Sequence, residues 1–359
     1  MVEESPLIDA DIRKAHTMPS KYYTDPATFA SICAGFASHW HFAAHTSDFA
    51  ENNVLPLSHV ESQIGEPMLL TKSEDEIRCL SNVCTHRGMI VADEPCNTKT
   101  LQCPYHARTF GLDGCMRNMP SFEDVENFPS PLDNLPEFAT GVWNGLIFTG
   151  LSPSTSFEDW LKPVTERMNW WPGINQLQRD NSRDRDWMIE TNWALYVENY
   201  LEGFHIPFVH ADLHAALEHE EYSTELFEGG VLQIGEASDG ELCFDLPADS
   251  PDSGRKIAAY YWWLYPGLML NIYPWGLSVN IVVPEEVGKT RVIYRGYVAD
   301  PEMLGKGAGG DLDKVELEDQ IIVEGCMRGV SSSAYDRGRY SPLMETGVHH
   351  FHRILTKNK

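Results

Sequence analysis

The chain has 359 residues, with 53 Asp and Glu against 27 Lys and Arg and a formal charge of -26. That balance argues against nucleic acid or an anionic membrane surface as partner, because phosphate contacts need clustered Lys and Arg. An apolar fraction of 42% and ten tryptophans permit a sizeable core, in two domains or one large one.

The opening MVEESPLIDADIRK is acidic, lacks an apolar core and does not read as a secretory signal. Pro26-Ala27-Thr28-Phe29 reads as a helix start. From Trp40 to Gly150 short strands between turns are expected, at Val60 to Ile64, Met68 to Thr71, Ile77 to Val83 and Val142 to Thr149. Within this region lie Cys84-Thr85-His86-Arg87-Gly88 and Cys103-Pro104-Tyr105-His106. The spacing is C-x-H, sixteen residues, then C-x2-H. Two metal centres fit it. A tetrahedral zinc site would use all four side chains on one ion. A Rieske [2Fe–2S] cluster would put Cys84 and Cys103 on one iron and His86 and His106 on the other. Zinc fingers pair like residues along the chain, whereas each loop here offers one Cys and one His, which favours the cluster. Gly88, Pro104 and Gly111 are expected to let backbone amides approach the sulfurs. The other six cysteines, Cys33, Cys79, Cys96, Cys115, Cys243 and Cys326, form no ligand spacing and read as buried thiols. Eight cysteines in a long chain with no signal peptide suit reduced thiols or metal ligands in a cytoplasmic protein.

The stretch Asn192 to His210 carries Glu198, Asn199, Glu202, His205 and His210 among large apolar residues. Two histidines and a carboxylate this close suit an iron(II) site with open positions; the alternative is a buried helix with two hydrogen-bonded histidines. On a helix Glu202 and His205 share a face, but His210 would lie about 140° away. Pro207 is expected to bend or end the helix near Phe204 to Ile206, which lets His210 swing back.

Strands and turns follow from residue 215 to 300. The run Ala258 to Leu270 holds Tyr260, Tyr261, Trp262, Trp263 and Tyr265. These form either sheet core or an aromatic cage for an ammonium head group, and only one parity of a strand can line a pocket. The longest apolar run, Ile257 to Leu277, is broken by Pro266, Gly267, Asn271, Pro274 and Gly276 and does not read as a membrane span. Trp275 to Pro284 and Thr290 to Val298 read as neighbouring strands. Residues 311 to 329 read as a helix with Val315, Asp319, Ile322, Val323 and Cys326 on one stripe. A carboxylate there is costly unless paired or bound to metal, and Glu318 lies off the stripe, so Asp319 is the candidate third iron ligand. The tail histidines, His349, His350 and His352, read as part of a packed terminal segment.

The CTHRG and CPYH loops with the later E-x2-H-x4-H segment resemble the Rieske non-heme iron oxygenases over nearly the whole chain. Ala107-Arg108 departs from the Gly-Trp that many members carry after CPYH. Glu202 stands where the bridging residue is often Asp, and a minority resembling the carnitine oxygenases also have Glu there. The tail resembles that of plant choline monooxygenases. The resemblance implies an α+β protein. An N-terminal helical segment (1–39) precedes a Rieske β-domain (40–155) and a helix-grip catalytic domain (156–359), an antiparallel sheet wrapped on a long helix. It implies a terminal oxygenase that uses O2 and electrons from a separate ferredoxin or flavin reductase, so that NAD(P)H acts only indirectly. His205, His210 and Asp319 would hold mononuclear Fe(II), and Asn199 would line the pocket. Glu202 would bridge His205 to a cluster histidine, His106, of a neighbouring subunit in a head-to-tail homotrimer. The substrate expected is a small quaternary ammonium compound, hydroxylated or N-dealkylated. The alternatives are aromatic ring hydroxylation, an electron-transfer Rieske protein, or a zinc-stabilised binding module.

Overall fold

Asn144 and Gly145 both take positive φ, 47° and 88°, and turn the chain between two paired strands. Asn-Gly is the dipeptide that a tight two-residue hairpin favours, since both positions need left-handed backbone. What reads in sequence as one strand from Val142 to Thr149 is therefore the meeting of two, Glu137–Trp143 and Leu146–Gly150. The computed structural model describes residues 7–74, 76–210, 212–213, 222–310 and 312–357. It divides into two units, Ala34–Asp159 and Met1–Cys33 with Trp160–Lys359.

In the first unit the strands are β1 (His41–His45), β2 (Val54–Pro56), β3 (Met68–Ser73), β4 (Glu76–Ser81), β5 (Thr100–Gln102), β6 (Thr109–Gly111), β7 (Met116–Asn118), β8 (Glu137–Trp143) and β9 (Leu146–Gly150). They form an antiparallel six-stranded sheet, β1-β9-β8-β4-β3-β2, and a three-stranded sheet, β5-β6-β7. Ser58–Ile64, expected as a strand over Val60 to Ile64, is a helix ending at Gly65 with φ 72°. Its Val60 is buried with Leu57, Met68 and Leu70 while Glu61 stays exposed, the one-sided burial of a short amphipathic turn.

In the second unit the strands are β10 (Gln178–Arg179), β11 (Arg185–Ile189), β12 (Ser223–Phe227), β13 (Gly230–Glu236), β14 (Ile257–Leu264), β15 (Leu268–Tyr273), β16 (Gly276–Glu286) and β17 (Lys289–Val298). They make one antiparallel sheet, β10-β17-β16-β15-β14-β13-β12, with β11 also on β17. Burial runs almost unbroken along β13 to β16, so both faces are covered. The helix Trp193–Tyr200 is capped by Asn192, whose side chain accepts from the Ala194 amide. It packs beside the long helix Leu312–Val330 and the terminal helix Thr346–Lys357. Trp193 and Trp263 both meet Phe351 edge-on, at 5.7 and 5.2 Å. The three tail histidines are structural here: His349 and His350 bond the Asp9 and Phe227 carbonyls, and His352 is fully buried beside Glu198. Among the described residues no helix is long and apolar enough to cross a membrane.

Gly276 closes the β15–β16 turn with φ 155°, and an added Cβ would fall 2.2 Å from the Tyr297 carbonyl oxygen. Gly276→Ala is expected to cost roughly 2–4 kcal/mol in urea unfolding followed by circular dichroism. Gly325→Ala, in the long helix with nothing within 4 Å, should be neutral or stabilise by up to about 1 kcal/mol.

Candidate functional site

The cluster loops have the same backbone. Cys84 donates its amide to the Met89 carbonyl at 2.8 Å, and Cys103 donates to Arg108 at 2.8 Å. Gly88 and Ala107 donate back to Cys84 and Cys103 at 3.0 and 3.1 Å, both with positive φ of 72° and 57°. The turn therefore needs a left-handed residue at this point, which glycine adopts freely and which leaves Ala107 strained. Cys84 and Cys103 are both buried, in a core with Leu80, Leu101, Phe110 and Leu135. Burial pushes the Cys84 thiol upward, and Cys103 beside it adds to the rise. The His86 and His106 rings lie 4.9 Å apart at 75°. Burial holds His86 below the usual histidine range, which keeps it neutral and able to ligate. His106 Nδ1 is buried without a hydrogen-bond partner. An orphaned imidazole nitrogen beside two buried thiols fits a two-iron cluster.

Arg108 is 2% exposed and ion-paired to Asp133 at 2.7 Å. Its guanidinium lies over Phe110 and Phe128, so a flat cation packs on two aromatic rings. The Gly111 amide, expected to face sulfur, donates instead to the Cys115 carbonyl at 2.8 Å, and the Asp113 and Arg117 side chains cross its bare Cα. Of the six other cysteines only Cys79 is buried, and Cys326 is exposed.

In the second unit the site helix stops at Tyr200, earlier than expected, and a four-residue helix restarts at Ile206. Glu202 and His205 therefore meet across a non-helical link rather than along one helix face. Glu202 Oε1 accepts from His205 Nδ1 at 2.7 Å, while Oε2 accepts the amides of Phe204 and His205. His205 and His210 turn their Nε2 atoms toward Asp319 Oδ1, at 3.5 and 3.0 Å. One ligand atom from each of the three lies within 4.8 Å of the others. Asn199 donates to the same Asp319 oxygen at 2.6 Å. His210 is 1% exposed, and its Nδ1 is held by Glu318 at 2.7 Å. Burial opposes protonation of His210, but Asp319 and Glu318 outweigh it and raise its pKa. Two imidazoles, each locked through Nδ1 and presenting Nε2 beside a carboxylate, form the donor set of a facial iron site.

Glu318 was not recognised from sequence as a site residue. The apolar stripe placed it off the buried face, and that stripe is rotated from the real one. The buried line of the long helix runs through Glu316, Val323 and Val330, while Ile322 and Cys326 face out. Glu316 is tolerated because the hydroxyls of Tyr196 and Tyr294 both donate to it. Asp319 and Glu318 then reach the histidines from neighbouring positions on that helix. Asp311 lies outside the described residues.

The pocket above the triad is lined by Tyr200, Tyr222, Tyr261 and Tyr273 with Gln233 and Asn271 among its polar groups. Only Tyr261 comes from the aromatic parity-bearing run. Tyr260 packs on Phe244, Trp262 on Phe227, and Trp263 on Tyr265 and Phe351. Tyr222 stacks on Tyr261 with centroids at 6.5 Å, and Tyr273 meets Tyr261 edge-on at 5.9 Å. Burial pushes these three phenols upward, so they stay neutral. Among the described lining residues there is no Lys or Arg.

Residues 39–129 match the Rieske [2Fe-2S] domain, and residues 174–358, more than half of the chain, match the ring hydroxylating alpha subunit catalytic domain. The chain is 28% identical to the chloroplastic choline monooxygenase of Arabidopsis thaliana, covering 97% of this chain and 84% of that protein. It is also 28% identical to the carnitine monooxygenase oxygenase subunit of Escherichia coli K12, covering 97% and 95%. A solved quaternary ammonium Rieske monooxygenase, described for carnitine oxidation by gut microbiota, superposes with a TM-score of 0.81 at 25% identity, over 99% of both chains. Naphthalene 1,2-dioxygenase of Rhodococcus shares the fold at a TM-score of 0.74 and 19% identity, over 95% of this chain and 93% of that one. The paired Cys-His loops and the His-His-Asp cluster thus sit in the two domains that define one enzyme family: the chain belongs to the Rieske non-heme iron oxygenases, as a ring-hydroxylating-type alpha subunit with a [2Fe–2S] domain ahead of its mononuclear iron domain.

Proposed function

We propose that this chain is the terminal oxygenase that hydroxylates a small quaternary ammonium compound, releasing an N-alkyl group where the attacked carbon is bound to nitrogen. One observation carries the reading: a pocket walled by neutral tyrosine rings, free of Lys and Arg among its described lining, opens on the His205, His210 and Asp319 cluster. A quaternary ammonium has no N–H to donate, so aromatic faces recognise it better than hydrogen-bond acceptors do. Gln233, Asn271 and Asn280 make the same pocket a poor host for a bare aromatic hydrocarbon. The choline and carnitine monooxygenases among its relatives support the same substrate class.

His205, His210 and Asp319 would hold the mononuclear iron, and Cys84, Cys103, His86 and His106 the cluster. When bound, the mononuclear iron supplies O2 activation and the cluster supplies single electrons. The chain's own residues do the positioning. Glu202 and Glu318 fix the histidine tautomers, and Asn199 orients Asp319. The tyrosine walls hold the ammonium carbon chain over the triad and exclude water. Glu202 would couple His205 to a cluster histidine, His106, of the next subunit in a head-to-tail homotrimer fed by a separate reductase. Exposed Phe204 and Phe208 beside the iron loop, and exposed Tyr105 and Met89 on the cluster loops, suit such a contact. A cytoplasmic location fits this reductase-fed role.

Asp319→Ala should lose the mononuclear iron by elemental analysis and leave the Rieske absorption spectrum intact; retention of the mononuclear iron would refute its assignment, whereas loss of both centres would mark a misfolded variant. Glu318→Gln should weaken iron binding by roughly 10–100-fold in a chelator competition, as loss of a ligand's hydrogen-bonded carboxylate does. Iron affinity should also fall as pH falls through the raised His210 range, because the proton competes with metal for the imidazole. Glu202→Ala, assayed with iron in excess so that both centres stay filled, should stop electron delivery, seen as a reduced cluster that no longer turns over; retained turnover would refute the bridge. Substrate-dependent oxygen uptake, run with a surrogate reductase over choline, betaines, carnitine and aromatic acids, should respond to the ammonium compounds; a response to aromatic acids alone would overturn the reading.

A further inference from the structure

Beyond the triad and the ring walls, a second cavity shares Ser278, Tyr294 and Leu312 with the tyrosine pocket and is lined also by the ion-paired Arg185 and Asp313 and by Arg183. Its neighbours on the chain have carboxylates: Arg179 is bound by Asp184 and Arg185 by Asp313. Among the described residues Arg183 meets none, in a chain with nearly twice as many acids as bases. Its guanidinium instead lies over Trp275 at 4.6 Å, and Trp275 stacks on the pocket residue Tyr273 at 5.2 Å and 10°. Gly296 leaves the strand bare for it; a Cβ there would fall 2.7 Å from Arg183 Cβ. Gly296 pairs directly with Ser278, one of the residues shared by both cavities.

Resting on the ammonium reading, we infer that Arg183 is a specificity-determining residue that receives a carboxylate at the far end of the substrate. The preferred substrate is then a zwitterion, with a trimethylammonium group among the tyrosines and a carboxylate several carbons away at Arg183. A planar guanidinium stacked on an indole is held in place with its N–H donors available, the arrangement that carboxylate recognition uses. The ring-lined pocket itself offers a carboxylate no cation, so a zwitterion must find its partner at this neighbouring cavity.

The test is isothermal titration of the purified holoenzyme with a matched pair, trimethylammonium butanoate and trimethylammonium butanol. Wild type should bind the acid at least about tenfold more tightly than the alcohol, the scale of one charge-assisted contact. Arg183→Gln should remove that preference while changing affinity for the alcohol less than about threefold, and Arg183→Lys should restore part of it. The alcohol titration and the Rieske absorption report whether the variant is folded. Equal binding of both ligands by wild type, or an unchanged preference in Arg183→Gln, would overturn this inference and leave the ammonium reading standing. Failure of wild type to bind either ligand would overturn both.

Discussion

Two imidazoles are each pinned on one side by a carboxylate and turned on the other toward a third carboxylate, and the catalytic unit depends on that arrangement. Glu202 holds His205 and Glu318 holds His210, both at 2.7 Å through Nδ1. With Nδ1 committed, only Nε2 remains, and both Nε2 atoms point at Asp319. The three negative groups would repel one another without a cation among them. Their assembly around two histidines, Glu202 from the loop and Glu318 and Asp319 from the long helix, is therefore itself an argument for metal. Pro207 and the early end of the site helix make it possible, since a continuous helix would carry His210 away from His205.

The sheet supplies the rest. Strands β13 to β17 place Gln233, Tyr261, Asn271, Tyr273, Ser278 and Tyr294 on the face toward the site helix, as their shared pocket shows. The opposite parity of the same strands carries Tyr260 and Trp262 into separate packing. One face thus does recognition and the other stability, which a period of two imposes on every strand. Buried Glu316 ties Tyr196 and Tyr294 together beneath that face, so two pocket phenols are fixed by a carboxylate that touches no metal ligand atom.

Much of this was legible before any coordinates. Cys-x-His with Cys-x2-His, and Glu-x2-His-x4-His, are short-range patterns whose chemistry requires those residue types, and the family match agrees with the architecture they implied. Asp319 was legible because an acid on an apolar stripe asks for a partner. Glu318 was not, for the same reason inverted. The stripe counted apolar residues only, and the true buried line passes through Glu316, an acid satisfied by two phenols, one from the site helix and one from β17. Such satisfaction is long-range and leaves no periodic trace. The cage was misassigned in its members because strand parity shows that half of an aromatic run faces away, but not that Tyr222 and Tyr273 would come from other segments to meet Tyr261. Val60 to Ile64 failed for a local reason, since a two-turn helix buried on one side offers too few residues to separate its period from a strand's.

The most direct check is magnetic resonance on the reduced holoenzyme treated with nitric oxide in the presence of trimethylammonium butanoate deuterated in its N-methyl groups. The paramagnetic mononuclear iron signal should carry nitrogen couplings from two histidines and deuterium couplings from the ammonium methyls, placing that head group beside the triad. An iron signal without histidine couplings would contradict the assignment of the metal centre, and one blind to the deuterated methyls while the ligand is bound would contradict the placing of the ammonium group beside it.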